Sequence, residues 1–103
     1  MTVFISGKIS GVKNWQKNFE KAENKAREAL TQYEFVNIVS PIKISRMVDA
    51  TKINPFYEDY VYACIQQLIN CDAVFFQWNW IFSKCARLEH HVARVLGKLI
   101  IYE

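Results

Sequence analysis

A chain of 103 residues makes one domain with one modest core and is too short for two. Its hydrophobic fraction of 51% and charged fraction of 22% are those of an ordinary globular protein. The net charge of +3 is mild, and the lysines between Lys13 and Lys25 lie among Glu20, Glu23 and Glu28. That is a mixed-sign solvated helix face, which argues against a nucleic-acid groove.

The longest apolar runs are strand-sized, so no membrane span is expected. The opening "MTVFISGK" has no basic leader, long apolar region or small-residue cleavage site, and reads as the start of a fold rather than an export signal. Cys64, Cys71 and Cys85 form no CxxC pair and are expected as reduced thiols in a cytoplasmic protein. A structural zinc needs four ligands at recognisable spacing. The adjacent His90 and His91 would point about 100° apart on a helix, so neither a metal nor another cofactor is expected.

In chain order, "TVFIS" (2–6) is a β-branched and aromatic run that stops at Gly7, the pattern of a buried strand. The glycine-bounded loop "GKISG" (7–11) follows. Asn14 can cap a helix reaching to about Tyr33, with Trp15, Phe19, Ala22, Ala26, Ala29, Leu30 and Tyr33 on one apolar face. "EFVNIVSP" (34–41) predicts a second strand closed by Pro41. Residues 42–54 predict either a short helix around 44–50 or a loop. Pro55 opens a helix that runs to Asn70. "DAVFFQW" (72–78) is a third strand and "NWIF" a loop. Ser83 caps a last helix ending at Gly97, and "KLIIYE" is a fourth strand.

This order demands right-handed crossovers and a three-layer α/β fold, a four-stranded parallel sheet with helices on both faces. The spatial strand order is expected to be 2-1-3-4, as in flavodoxin-like and Rossmann-like sheets. Ligands bind such sheets outside the carboxyl ends of the strands. Three segments emerge there: the loop from Gly7, Ser40-Pro41, and the loop from Trp78 to Ser83. Glu89 lies less than two turns into the following helix. From the residues alone it is either a solvated helix carboxylate or a group aimed at that crevice. Trp78, Trp80 and Phe82 can stack on a flat ligand or form a subunit interface. Cys64 is either core filler or a reactive thiol, and Asp72, far from the ligand edge, is structural.

The combination of "FISGKISG", "SP" after the second strand and "CDAVFF-W---SK-A--LEH--A--LGK-I" resembles a small bacterial and phage family catalogued as domain of unknown function 4406. That family is grouped with the nucleoside 2-deoxyribosyltransferases and the deoxynucleoside-monophosphate N-glycosidases. The resemblance covers essentially the whole chain and is weakest over 42–54. It implies N-glycosidic bond hydrolysis or base transfer on a deoxynucleoside or its 5′-monophosphate, through a covalent glycosyl-glutamate. Glu89 matches the relatives' nucleophile. Ser83 stands where nucleoside-acting relatives carry aspartate and monophosphate-acting ones carry serine. Lys8, Ser10 and Gly11 match the loop that the monophosphate-acting relatives fold around the phosphate, and Ser6, Gly7 and, by its aromatic ring, Trp78 are taken with them as candidates for holding the substrate. Two positions depart from the pattern: Cys64 replaces an aspartate of the relatives' catalytic set, and Cys85 replaces a glycine. The alternative is a catalytically inactive nucleotide-binding or protein-interaction module of the same fold. The expected partners are a nucleoside or nucleotide and further copies of the chain. The second expectation arises because seven aromatic residues crowd into Phe56–Tyr62 and Trp78–Phe82.

Overall fold

The computed structural model describes residues 1–51 and 56–103. Its centre is strand β1 (Thr2–Ser6), in which Val3, Phe4 and Ile5 are fully buried. β1 pairs in parallel with β2 (Asn37–Val39) on one side and with β3 (Ala73–Phe76) on the other. β3 in turn pairs in parallel with β4 (Leu99–Tyr102), giving the order β2-β1-β3-β4. This is the parallel 2-1-3-4 sheet expected from the sequence. The register is locked at the edge away from the loops. Asp72 accepts a hydrogen bond from the Thr2 N–H at 2.9 Å and donates its own N–H to the Thr2 carbonyl at 2.9 Å.

Side chains alternate across a strand, and this sorts the core into two halves. Val3, Ile5, Ala73 and Phe75 face helix α1 (Trp15–Ala29), packing on Phe19, Ala22 and Ala26. Phe4, Val74 and Phe76 face the opposite way, onto Ile44 and Val48 of α2 (Pro41–Thr51), Leu68 of α3 (Tyr57–Ile69) and Ala93 of α4 (Lys84–Val95). One helix therefore covers one face and three cover the other. Among the described residues, no helix is long and apolar enough to cross a membrane.

The boundaries differ from expectation in ways that have physical causes. α1 stops at Ala29, not Tyr33: Leu30, the last buried residue of the apolar stripe at 2% exposure, already leaves helical geometry, and Tyr33 stands exposed beyond it. Asn14 precedes it without a side-chain cap. β2 is three residues long rather than eight, since Glu34 and Phe35 stand exposed and only residues 37–39 reach β1. Pro41 does more than end that strand: it opens α2, where its fixed φ and missing N–H fit a first helical position. The open reading of 42–54 resolves as helix through Thr51. Pro55, expected to open the next helix, lies outside the described residues. α3 begins at Tyr57, and the Phe56 N–H donates to the Asp59 carboxylate at 2.8 Å. β3 is confined to 73–76.

The ends of α4 were legible. The Ser83 hydroxyl accepts from the Ala86 N–H at 3.2 Å. At the other end Gly97 has φ +67°, the Gly97 N–H reaches the Arg94 carbonyl at 3.1 Å, and the Lys98 N–H reaches that of Ala93 at 2.9 Å. This left-handed glycine stop satisfies two otherwise free carbonyls. Gly97→Ala should cost about 1 kcal/mol from the left-handed backbone alone, since its Cβ would meet nothing within 4 Å. Gly7→Ala should cost more, because its Cβ would lie 2.4 Å from Gln77 Nε2. Urea unfolding of the two variants checks both the size and the order of the losses.

Candidate functional site

The carboxyl ends of β1, β2 and β3 open into a cavity of about 490 Å³. Its floor is the first residues after β1, Gly7 to Ser10. One wall is Pro41, Ile44 and Ser45 at the start of α2; the other is the start of α4, Ser83 to Cys85, with Glu89 one turn deeper. α3 closes it with Tyr57, Tyr60, Val61 and Cys64.

The β1 loop is held against the end of β3. The Gln77 N–H donates to the Ser6 carbonyl at 3.0 Å, and the Lys8 N–H donates to Asn79 Oδ1 at 3.1 Å. Gly7 lies close against the buried Gln77 side chain, which a Cβ at this position would displace. Gln77 and Asn79, just past the end of β3, are both buried. Between them, in the turn that follows the strand, Trp78 stands outward at 68% exposure, with its backbone N–H on Glu103 Oε1 at 3.1 Å. Trp78, placed beside the substrate from sequence, is therefore not part of the cavity wall. Trp80 stacks on the His90 ring at 4.2 Å beside Phe76 and Tyr102, and also lies off the wall. Of that aromatic group, Phe82 lines the cavity. Gly11, with φ +76°, shapes the loop from outside, and Ser6 acts from beneath.

Glu89 lies on the inward face of α4 at 6% exposure. The Ser6 hydroxyl donates to its Oε1 at 2.6 Å, across 83 residues of sequence. Burial disfavours the carboxylate and pushes its pKa up to about 7, against the opposing pull of the Ser6 hydrogen bond. Cys64 is pushed up to about 12, chiefly by burial and further by the Glu89 and Cys85 charges. Tyr57 shares a hydrogen bond with Cys85 Sγ, which with burial pushes the phenol up to about 12. Cys64 and Tyr57 therefore stay protonated near neutral pH.

The structure thus brings Gly7, Lys8, Ser10, Cys64, Ser83 and Glu89 to one cavity. It adds residues that sequence reasoning did not select: Lys84, Ser45, Tyr57, Tyr60 and Trp15. Lys84 had a signal, standing next to the capping serine at the start of α4. Tyr57 and Trp15 were hidden inside apolar stripes. The start of α4, the β1 loop amides and two lysines suit an anion; the aromatic rings suit a flat group; a buried carboxyl suits nucleophilic attack. Among the described residues no cluster of three metal-ligating side chains forms.

A carboxyl whose folded pKa is raised contributes stability that is full below its unfolded value, near 4.5, and is lost as pH rises through about 7. Glu89→Gln removes that loss. Between about pH 4 and about pH 8 the variant should gain up to about 3 kcal/mol relative to the parent, read from paired denaturant titrations. Ser6→Ala should move the Glu89 titration upward, because the bond it removes favours the carboxylate.

The chain matches the family described as Domain of unknown function (DUF4406) over residues 1–102. No curated protein matches it. Among solved structures, a 2-desoxiribosyltransferase from Leishmania mexicana superposes with a TM-score of 0.61 at 20% identity. The alignment covers 98% of this chain and 62% of that one, so this chain spans less than two thirds of that protein's length. At such identity the likeness is one of fold. A family match over nearly every residue, on a parallel 2-1-3-4 sheet, places this chain in the DUF4406 family, with a nucleoside deoxyribosyltransferase-like fold.

Proposed function

We propose that the chain cleaves or transfers the N-glycosidic bond of a nucleoside 5′-monophosphate, with Glu89 as the nucleophile. The observation that carries this reading is a single carboxyl, 6% exposed, that lines the cavity and is oriented by Ser6. Burying a carboxylate is expensive, and nothing in the core requires one at this position. A base on one side of the reacting sugar faces Trp15, Tyr57, Tyr60 and Phe82. The phosphate on the other takes the free amides at the start of α4, the Ser83 and Ser10 hydroxyls, and the Lys8 and Lys84 ammonium groups.

In the ionised form, one Glu89 oxygen attacks the anomeric carbon and displaces the base, leaving a glycosyl ester. Water resolves it to a sugar phosphate; a second base resolves it to a new nucleotide. Ser6 holds the carboxyl in one rotamer and favours its anion. A second reading, nucleotide binding without turnover, is favoured by Cys64: it stands where the relatives' aspartate would be, and its thiol stays protonated.

Assembly belongs to the same proposal. Tyr57 and Phe82 of the cavity lining, and Phe56 and Tyr62 at the start of α3, are each at least 60% exposed, apolar surface suited to a second copy of the chain.

Incubation with nucleosides and their 5′-monophosphates, followed by chromatography for free base, tests the catalytic reading. Base release should require the phosphate. Glu89→Gln should lower it at least ~10³-fold while monophosphate binding survives. Lys8→Ala should weaken monophosphate binding by roughly 1.5–3 kcal/mol in calorimetry. Binding without release from any substrate would leave only the second reading. Light scattering at tens of micromolar should show a dimer or larger, and a monomer would remove the assembly proposal.

A further inference from the structure

Displacement at an anomeric carbon sends the bonding electron pair onto a ring nitrogen of the leaving base. A neutral purine or pyrimidine then departs as an anion unless an acid protonates it. Such assistance contributes roughly 10²–10⁴-fold to rate. The groups around this cavity leave no acid for that role among the described residues. Glu89 is the attacking group. Cys64 and Tyr57 hold their protons up to about 12. Cys85 is tied to Tyr57, and the Tyr60 hydroxyl donates to Asp49 at 2.5 Å. His90 is stacked on Trp80 and bonded to Tyr102, off the wall. Lys8 and Lys84 lie on the β1 loop and the first residue of α4, with the amides and hydroxyls that suit phosphate.

What the cavity offers a base instead is aromatic surface from Trp15, Tyr57, Tyr60 and Phe82, above a buried carboxyl. Ring faces and an anion both attract a cation. Resting on the glycosidic reading above, we infer that the substrate is a 5′-phosphorylated N-glycoside whose base already carries a positive charge, such as a ring-alkylated purine or a pyridinium. Such a base needs no acid. A Glu89 oxygen forms a bond to the anomeric carbon, the carbon–nitrogen bond breaks, and its electron pair cancels the charge on the ring nitrogen. The base leaves neutral. Water then attacks the same carbon, releases the Glu89 carboxylate and gives up one proton to solvent, yielding the sugar 5′-phosphate.

The test uses matched pairs differing by one methyl group and one charge: 7-methyl-2′-deoxyguanosine and 2′-deoxyguanosine 5′-monophosphates, and the corresponding ribonucleotides. Base release is measured by chromatography with enzyme-free release subtracted. In at least one sugar series kcat/KM should favour the cationic member by at least ~100-fold, the low end of what an absent general acid forfeits. Glu89→Gln should abolish the excess. Cys64→Asp, which supplies a carboxyl, should narrow the ratio by at least ~10-fold. A smaller parental ratio in both series, or an unchanged ratio in folded Cys64→Asp, overturns the inference while leaving the glycosidic reading intact. No release from any cationic or neutral substrate, these pairs and the wider panel together, overturns both.

Discussion

The hydrogen bond from Ser6 to Glu89 joins the central strand to the last helix of the chain, and the rest of the site is arranged around it. A carboxyl at this depth can lose its proton only by accepting a desolvation penalty. One hydroxyl at 2.6 Å offsets part of that penalty and removes most of the rotational freedom of the group. The arrangement works only if β1 is central, so that its last residue lies beneath the crevice, and if α4 presents its second turn inward. Both conditions follow from the 2-1-3-4 strand order, in which β1 and β3 are neighbours and α4 springs from the end of β3.

Function and packing share the same edge of the sheet. The inward positions beyond β3, Gln77 and Asn79, are polar and buried, and both hold the β1 loop, one by filling the space beside Gly7 and the other by accepting from the Lys8 N–H. At the opposite edge Asp72 and Thr2 exchange two hydrogen bonds. β1 is thus tied at both ends, by Asp72 at its start and by Gln77 and Asn79 where the loop leaves it. Ser40 Oγ and Gln77 Nε2 are buried without a partner among the described residues. Both lie at strand ends next to the cavity, where polar groups are tolerated at a cost the remainder of the core does not accept.

The strands and the helix start at Ser83 are legible in local chemistry, as apolar runs bounded by glycine, proline and capping residues, whereas Pro41 reads only as a strand end and its helix start emerges with the fold. The depth of Glu89 was not, because helical spacing gives a face but not the distance to the strand beneath it. Cys64 and Tyr57 look like ordinary members of an apolar stripe until α3 is placed over the cavity. Trp78 misled for the opposite reason. An aromatic residue at the carboxyl end of a strand suggests a ligand contact, yet β3 ends at Phe76 and the turn that follows leaves Trp78 exposed and off the cavity wall. The length of β2 was overestimated because β-propensity in residues 34–41 records preference, while pairing requires a partner, and only three residues face one.

The pairing of β1 with β3 also sets a timetable for folding. Thr2 and Asp72 are 70 residues apart, so the central strand cannot complete its hydrogen bonding on both edges until more than two thirds of the sequence is available. Closing a loop of that length comes before the contacts that reward it, which places such a topology among the slower folders of its size. Of its strand pairings the first half of the chain can form only the short β1–β2 pair, with the β3 edge of β1 left unpaired. That apolar strand edge is the segment of the nascent protein most in need of protection from association.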